Sequence, residues 1–326
     1  PLGRRAVATV SAQIVEQPLE WLSTDGPTRN EQHAVEVRRR RDGARMVLIP
    51  AGSYRLGGPQ GVAANAPPWT VELDAFLLDT YEVSHEQYVS YLRARQYSLA
   101  DVVPDLLVAS GSGDAAAQPL AAIRFVRGQW RVEPGFESRP VVGVTWFGAQ
   151  SYAEWATDGR GSLPSEAQWE AAARGADGRT YPWGSQPPSP GVAHYRDGGL
   201  FDLGGLDELQ PVDSLPQGAS PFGVLNLAGN VEEWCRDWFD LNSYRTLTGR
   251  NPVQDNLPAG SPGRVVRGGS MYSAFRPESV AHQLGPSRIQ LLGMSVVAFA
   301  CCSPFGHTSS PHGLVPATNL ASLPAW

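Results

Sequence analysis

Short alternating runs of apolar and polar residues dominate the chain from residue 46 onward, broken by a few segments at helical spacing. Residues 46–54 read as a β run stopped by the turn chemistry of Pro50 and Gly52. Across 69–79, Val71 and Leu73 alternate with polar neighbours, as in a half-buried strand. A helix follows Ser84, whose hydroxyl and Gln87 form a capping box, with Tyr88, Tyr91 and Leu92 on one face. Residues 109–119 read as a loop, 123–132 as a hairpin around Gly128, 139–146 as a strand and 147–155 as a helix. The clearest helix lies within 162–175, with Ser165 as cap, Gln168 at its third position and Gly175 as stop. Residues 176–222 are almost all turn chemistry, which needs a pin such as an ion or aromatic anchors. The division expected is an N-terminal extension over 1–45 with a possible helix at 10–22, a domain over 46–302 and a polar, Pro-rich strap over 303–326.

Composition narrows the class. The chain has 326 residues and is 42% hydrophobic, enough for a sizeable core, while 35 Gly and 28 Pro point to irregular chain between short elements. Every one of the 26 basic residues is Arg, a side chain suited to fixed bidentate ion pairs. The net charge of −6 argues against nucleic acid as partner. The short basic run at 38–41 reads as a solvated face, and His33 and His85 as isolated surface residues. Three cysteines, Cys235, Cys301 and Cys302, are too few for a disulfide scaffold. No stretch approaches the apolar length of a membrane span and no signal peptide is visible, so a cytoplasmic monomer is the default expectation. Residues 1–3 lack a starting Met and read as a possible tag remnant.

The stretch 264–302 organises the rest. It opens on Arg264-Val265-Val266-Arg267-Gly268-Gly269-Ser270, closes on Gly293-Met294-Ser295-Val296-Val297, and follows no period between. With the blocks at 46–52, 76–82, 140–146, 163–175, 181–184 and 226–234, this collinear set resembles the formylglycine-generating-enzyme, or sulfatase-modifying-factor, family. The resemblance covers roughly residues 46–300 and implies an α+β, loop-rich, elaborated C-type-lectin-like fold. In the family's aerobic enzymes two cysteines after the Gly-Gly-Ser turn hold copper. This chain has Ser273 near the first place and Glu278 near the second. Another branch uses three histidines on an N-terminal bundle, for which the extension is too short.

The resemblance therefore points to a third branch, the variable proteins of diversity-generating retroelements. In these a lectin-like scaffold displays a rewritten segment as a binding face. That segment here is 271–295, with Met271, Tyr272, Ser273, Phe275, Arg276, Glu278, His282, Gln283, Ser287, Arg288, Gln290, Met294 and Ser295 as candidate ligand contacts. Such a mix of aromatic, Arg and polar groups suits recognition of a protein or other macromolecule. The usual Gly-Phe-Arg after the segment is Gly293-Met294-Ser295 here. The resemblance also implies a structural Ca2+ held by Asn226, the carbonyls of Gly229 and Val231, and Glu233, an all-oxygen set fit for a hard cation. Glu232 stands where the family has Trp, and the alternative for this stretch is a turn and a helix ending at Trp238. The rival functions are a drifted or unrecognised oxidoreductase of the formylglycine-generating type, a binding or structural relative without diversification, and a carbohydrate-binding lectin.

Overall fold

The computed structural model describes residues 22, 27–58, 68–102, 106, 109–110, 118–119, 122–195, 206–240, 242–247, 249–261, 263–271, 296–297 and 301–302. The strands are β1 (Thr28–Arg29), β2 (Val35–Arg38), β3 (Arg45–Ile49), β4 (Gly52–Leu56), β5 (Trp69–Leu73), β6 (Phe76–Asp79), β7 (Ala109–Ser110) and β8 (Gln118–Pro119). They continue as β9 (Ile123–Val126), β10 (Gln129–Val132), β11 (Gly161–Ser162), β12 (Glu232–Trp238), β13 (Arg264–Arg267), β14 (Val296–Val297) and β15 (Cys301–Cys302). Three helices matter for the site: α1 (His85–Ala94), α2 (Trp146–Ala156) and α3 (Glu166–Arg174).

The main sheet has the order β1-β2-β3-β6-β15-β11. Its centre is buried on both faces, and the period of two divides its side chains between two cores. Val47, Ile49, Phe76 and Leu78 pack toward α3, whereas Met46, Leu48 and Leu77 pack with Val35 and Val37. A third cluster joins α1 and α2 through Tyr88, Tyr91, Tyr152 and Trp155. Both expected capping boxes form, Ser84 with Gln87 and Ser165 with Gln168, and Thr145 caps α2.

Several expectations are corrected. The boundary expected at residue 45 falls inside the β2–β3 hairpin, and β1 and β2 belong to the main sheet. The single strand expected over 69–79 is two strands in different sheets, β5 against β4 and β6 against β3. Residues 139–145 form isolated bridging and not a strand: Pro140 lies opposite Ser84, where no amide hydrogen is needed, between the His85-to-Arg139 and Val141-to-Val83 backbone hydrogen bonds, and Val141, Val142 and Val144 are buried, while Trp146 already belongs to α2. The 109–119 loop carries the two-residue pair β7–β8. The basic run is not wholly solvated: Arg39 is fully buried and bonds Asp79 at 2.6 Å and Asp42 at 2.8 Å. His85 is also fully buried, with Nδ1 2.9 Å from the Arg139 carbonyl and Nε2 accepting from the Ala122 amide. The strap at 303–326 and the helix expected at 10–22 lie outside the described residues, apart from Leu22, which forms an isolated bridge with Arg39. Among the described residues no helix is long and apolar enough to cross a membrane.

Candidate functional site

The second sheet places the site. β12 is its central strand, antiparallel to β13 on one side and parallel to β14 on the other. Glu233 pairs with Arg267 across one edge and with Val297 across the other. The chain between β13 and β14 therefore leaves and returns at one rung of β12. Residues 226–238 thus end in a strand and not in a helix.

The rung is fastened to the loop before it. Gly229 donates its amide to the Gly268 carbonyl at 3.1 Å, and Met271 donates to the Asn230 carbonyl at 2.9 Å. Tight winding makes this possible, with positive φ at Asn226 (58°), Gly229 (92°) and Asn230 (61°). At Gly229 the absence of a side chain is required twice, since a Cβ would also stand 2.4 Å from the His194 carbonyl. Gly268 and Gly269 likewise take positive φ as the chain leaves β13.

Two buried carboxyls face this loop. Glu82 is 1% exposed and its Oε2 accepts from the side-chain amides of Asn226 and Asn230, each at 2.9 Å. Asn226 spans further to the Val212 carbonyl at 3.0 Å, and Asn230 Oδ1 accepts from the Gln210 amide. Glu233 is wholly buried; its Oε2 accepts from the indole Nε1 of Trp169, and its Oε1 has no partner among the described residues. Burial pushes the Glu233 carboxyl well above the usual range, and the charge of Glu82 adds to it. Burial does the same to Glu82, opposed by its amide donors.

A third group braces β13 from beneath. Arg267 is fully buried and donates to Glu166 at 2.7 Å and Glu170 at 3.0 Å on α3. Burial alone would lower its pKa, but Glu170 and Glu166 outweigh that and hold it raised. Glu170 also accepts from Arg174 at 2.6 Å, and Glu166 from the Tyr244 hydroxyl at 2.8 Å.

The expected calcium donors are therefore adjoining parts of one buried loop. An unpartnered carboxylate oxygen at Glu233, deep in a site with a second carboxyl, fits a hard cation. Among the described residues no three His, Cys, Asp or Glu side chains gather as a metal site, so any cation here relies on neutral oxygens beside carboxylate. Of the candidate contacts, Met271 is 1% exposed and packs with Val231, Trp234 and Val266. It is framework, corrected from its expected place on the face: its amide donates to the Asn230 carbonyl and its side chain is buried in the core. Residues 272–295, carrying every other candidate, lie outside the described residues. Cys235 is buried, its thiol pushed well above its ordinary pKa by burial, and the backbones of Cys301 and Cys302 pair with β6 and β11. Sequence reasoning missed Glu82 and Arg267. Glu82 sits in the block 76–82 quoted for the resemblance, but nothing in its spacing shows that it faces residues 144 and 148 positions away.

Comparison with known proteins gives the context. The Sulfatase-modifying factor enzyme 1-like domain matches residues 31–294. The formylglycine-generating enzyme of Thermomonospora curvata is 34% identical over 254 residues, covering 69% of this chain and 82% of that one. The Chlamydia pneumoniae protein named serine/threonine-protein kinase pkn1 is 32% identical over 244 residues, covering 73% of this chain and 35% of that one, so the chain spans about a third of that relative's length. Among solved structures, PvdO from Pseudomonas aeruginosa aligns with a TM-score of 0.58 at 21% identity, covering 81% of this chain and 96% of that one. Treponema denticola variable protein 1 aligns at 0.51 with 19% identity, covering 82% and 98%. The fold is thus a loop-rich, C-type-lectin-like α+β fold of the formylglycine-generating type. The chain belongs to the sulfatase-modifying factor enzyme 1-like domain family.

Proposed function

We propose that the protein is a non-catalytic binder that displays residues 272–295 as a variable face toward a protein or other macromolecular ligand. The observation that carries this reading is the shared rung: Glu233 pairs with both Arg267 and Val297, so a buried, fully braced strand holds both roots of the segment. A scaffold of this kind lets the displayed residues change without changing the fold, and its rigidity lowers the ordering cost of binding. Ser273 and Glu278 near the places where the copper-binding cysteines of the enzymes would stand support the same reading.

A structural Ca2+ belongs to this proposal. Asn226, the carbonyls of Gly229 and Val231, and Glu233 would hold it, and it would supply positive charge between loop and strand. The chain's own part is to wind residues 226–231 through left-handed backbone and to aim Glu233 into the loop.

One observation favours an oxidoreductase instead, namely the 34% identity to a formylglycine-generating enzyme. Two experiments separate the readings. The gene is sequenced with its flanks: a near-copy of the 264–302 coding region, differing at adenines and beside a reverse transcriptase gene, supports the variable face. The purified protein is incubated with copper, dioxygen and a cysteine-containing peptide; an aldehyde product would establish the enzyme and refute the binder.

A further inference from the structure

The β2–β3 hairpin sets Arg38 directly opposite Arg45. Like charges opposed on an antiparallel pair repel each other. Their partners are few: Arg38 reaches the Gly43 carbonyl at 3.3 Å, and Arg45 stands 3.9 Å from Glu36 and engages the Tyr81 hydroxyl. Both arginines line one cavity of about 300 Å3. Ser84 and Gln87, at the start of α1, also line it. Their capping box uses acceptor atoms, Gln87 Oε1 from the Ser84 amide and Ser84 Oγ from the Gln87 amide. The Gln87 Nε2 hydrogens and the Ser84 hydroxyl hydrogen are left to donate, at a helix end that favours negative charge. Ser138 and Tyr81 add hydroxyls to the same lining. Two acids line the cavity as well. Both oxygens of Glu82 already accept from the loop amides, and Asp213 lies exposed in the lining.

Two arginines opposed in register and lining one cavity, with donors to spare in its walls, call for an acceptor-rich ligand of opposite charge. We propose that this cavity binds a compact dianion, a phosphate group or its dicarboxylate equivalent, between Arg38 and Arg45. The cavity is larger than the anion alone and leaves room for a small organic substituent. Because Glu82 lines the cavity and also holds Asn226 and Asn230, occupation of the cavity is felt at the 226–230 loop.

The test titrates the full chain with inorganic phosphate, and separately with malonate, against chloride at matched ionic strength, by calorimetry and thermal melting. Saturable binding of either dianion with a raised Tm is expected, phosphate alone marking a phosphoryl ligand and malonate alone a dicarboxylate. The double variant Arg38→Gln/Arg45→Gln should melt at or above the wild-type temperature without ligand, since the repulsion is gone, and bind at least tenfold more weakly. Asp213→Asn, which removes an opposing charge, should tighten binding. No saturable binding by either dianion, or binding unchanged in the double variant, overturns the proposal.

Discussion

Trp169 donates its indole Nε1 to Glu233, and the same ring lies 4.9 Å from the guanidinium carbon of Arg267. One helix side chain thus serves both partners of the β12–β13 rung. The three groups are wholly buried, so each is sensitive to loss of the others.

Removing Arg267 should be severe. Arg267→Met would leave the buried Glu166 without its cationic partner and Glu170 with Arg174 alone, a loss of about 3–5 kcal/mol. Urea unfolding measures it. A loss below about 1 kcal/mol would show that the carboxylates find other partners.

Calcium should stabilise the native protein alone. At a free concentration 100 times Kd the gain is about 2.7 kcal/mol. Chelation should lower Tm, and Glu233→Gln, by keeping the shape and removing the charge, should erase the response. If chelator leaves the wild-type Tm untouched and elemental analysis finds no ion, the calcium reading is wrong.

The buried His85 makes an acid-sensitive contribution. Its pKa is pushed down from 6.5 to about 4, chiefly by burial, with the Arg139 carbonyl bond opposing. The folded state keeps the ring neutral while the unfolded state takes up the proton first. Stability from this group is therefore full above pH 6.5 and falls as pH drops to about 4, by roughly 3 kcal/mol in all. Asp237, whose pKa burial raises to about 7, acts in the opposite sense. The clean measurement is accordingly the difference between wild type and His85→Gln across pH 7 to 4. A pH-independent difference refutes the assignment.

Face residues should be replaceable without damage to the fold. The double change Tyr272→Ser/Phe275→Ser is expected to leave denaturant stability within about 0.5 kcal/mol of wild type, as surface substitutions do. A loss of 3 kcal/mol or more would mark these two side chains as core.

Much of this was legible because it is local. The capping boxes at Ser84 and Ser165 and the hairpin over Ile123–Val132 each depend on residues a few positions apart. The oxygen-rich loop at 226–233 was found through collinear blocks for the same reason. The failures at Arg39, His85 and β14 are long-range. Arg39 looked solvated because its neighbours in sequence are Arg, yet Asp79 waits 40 positions away. His85 looked isolated because the carbonyl that holds it lies 54 positions on. The run at 139–146 has the apolar content of a strand, but its pairing is a single antiparallel bridge, Pro140 opposite Ser84, flanked by the His85-to-Arg139 and Val141-to-Val83 backbone hydrogen bonds, and that partner lies more than 50 positions away in the chain. The pairing of β14 with β12 has no trace in either strand's own residues.

The shared rung of β12 has a further consequence, for length. Strands flanking a central one stand about 10 Å apart, two strand spacings of about 4.8 Å each. Arg267 and Val297 are held at that separation whatever lies between them. Closing a flexible loop between fixed ends becomes costlier only slowly, by about 0.6 kcal/mol for each doubling. Under the proposed function, a scaffold that pins both roots on opposite edges of one strand tolerates insertions as readily as substitutions, and the reach of the face can grow while its footing stays the same.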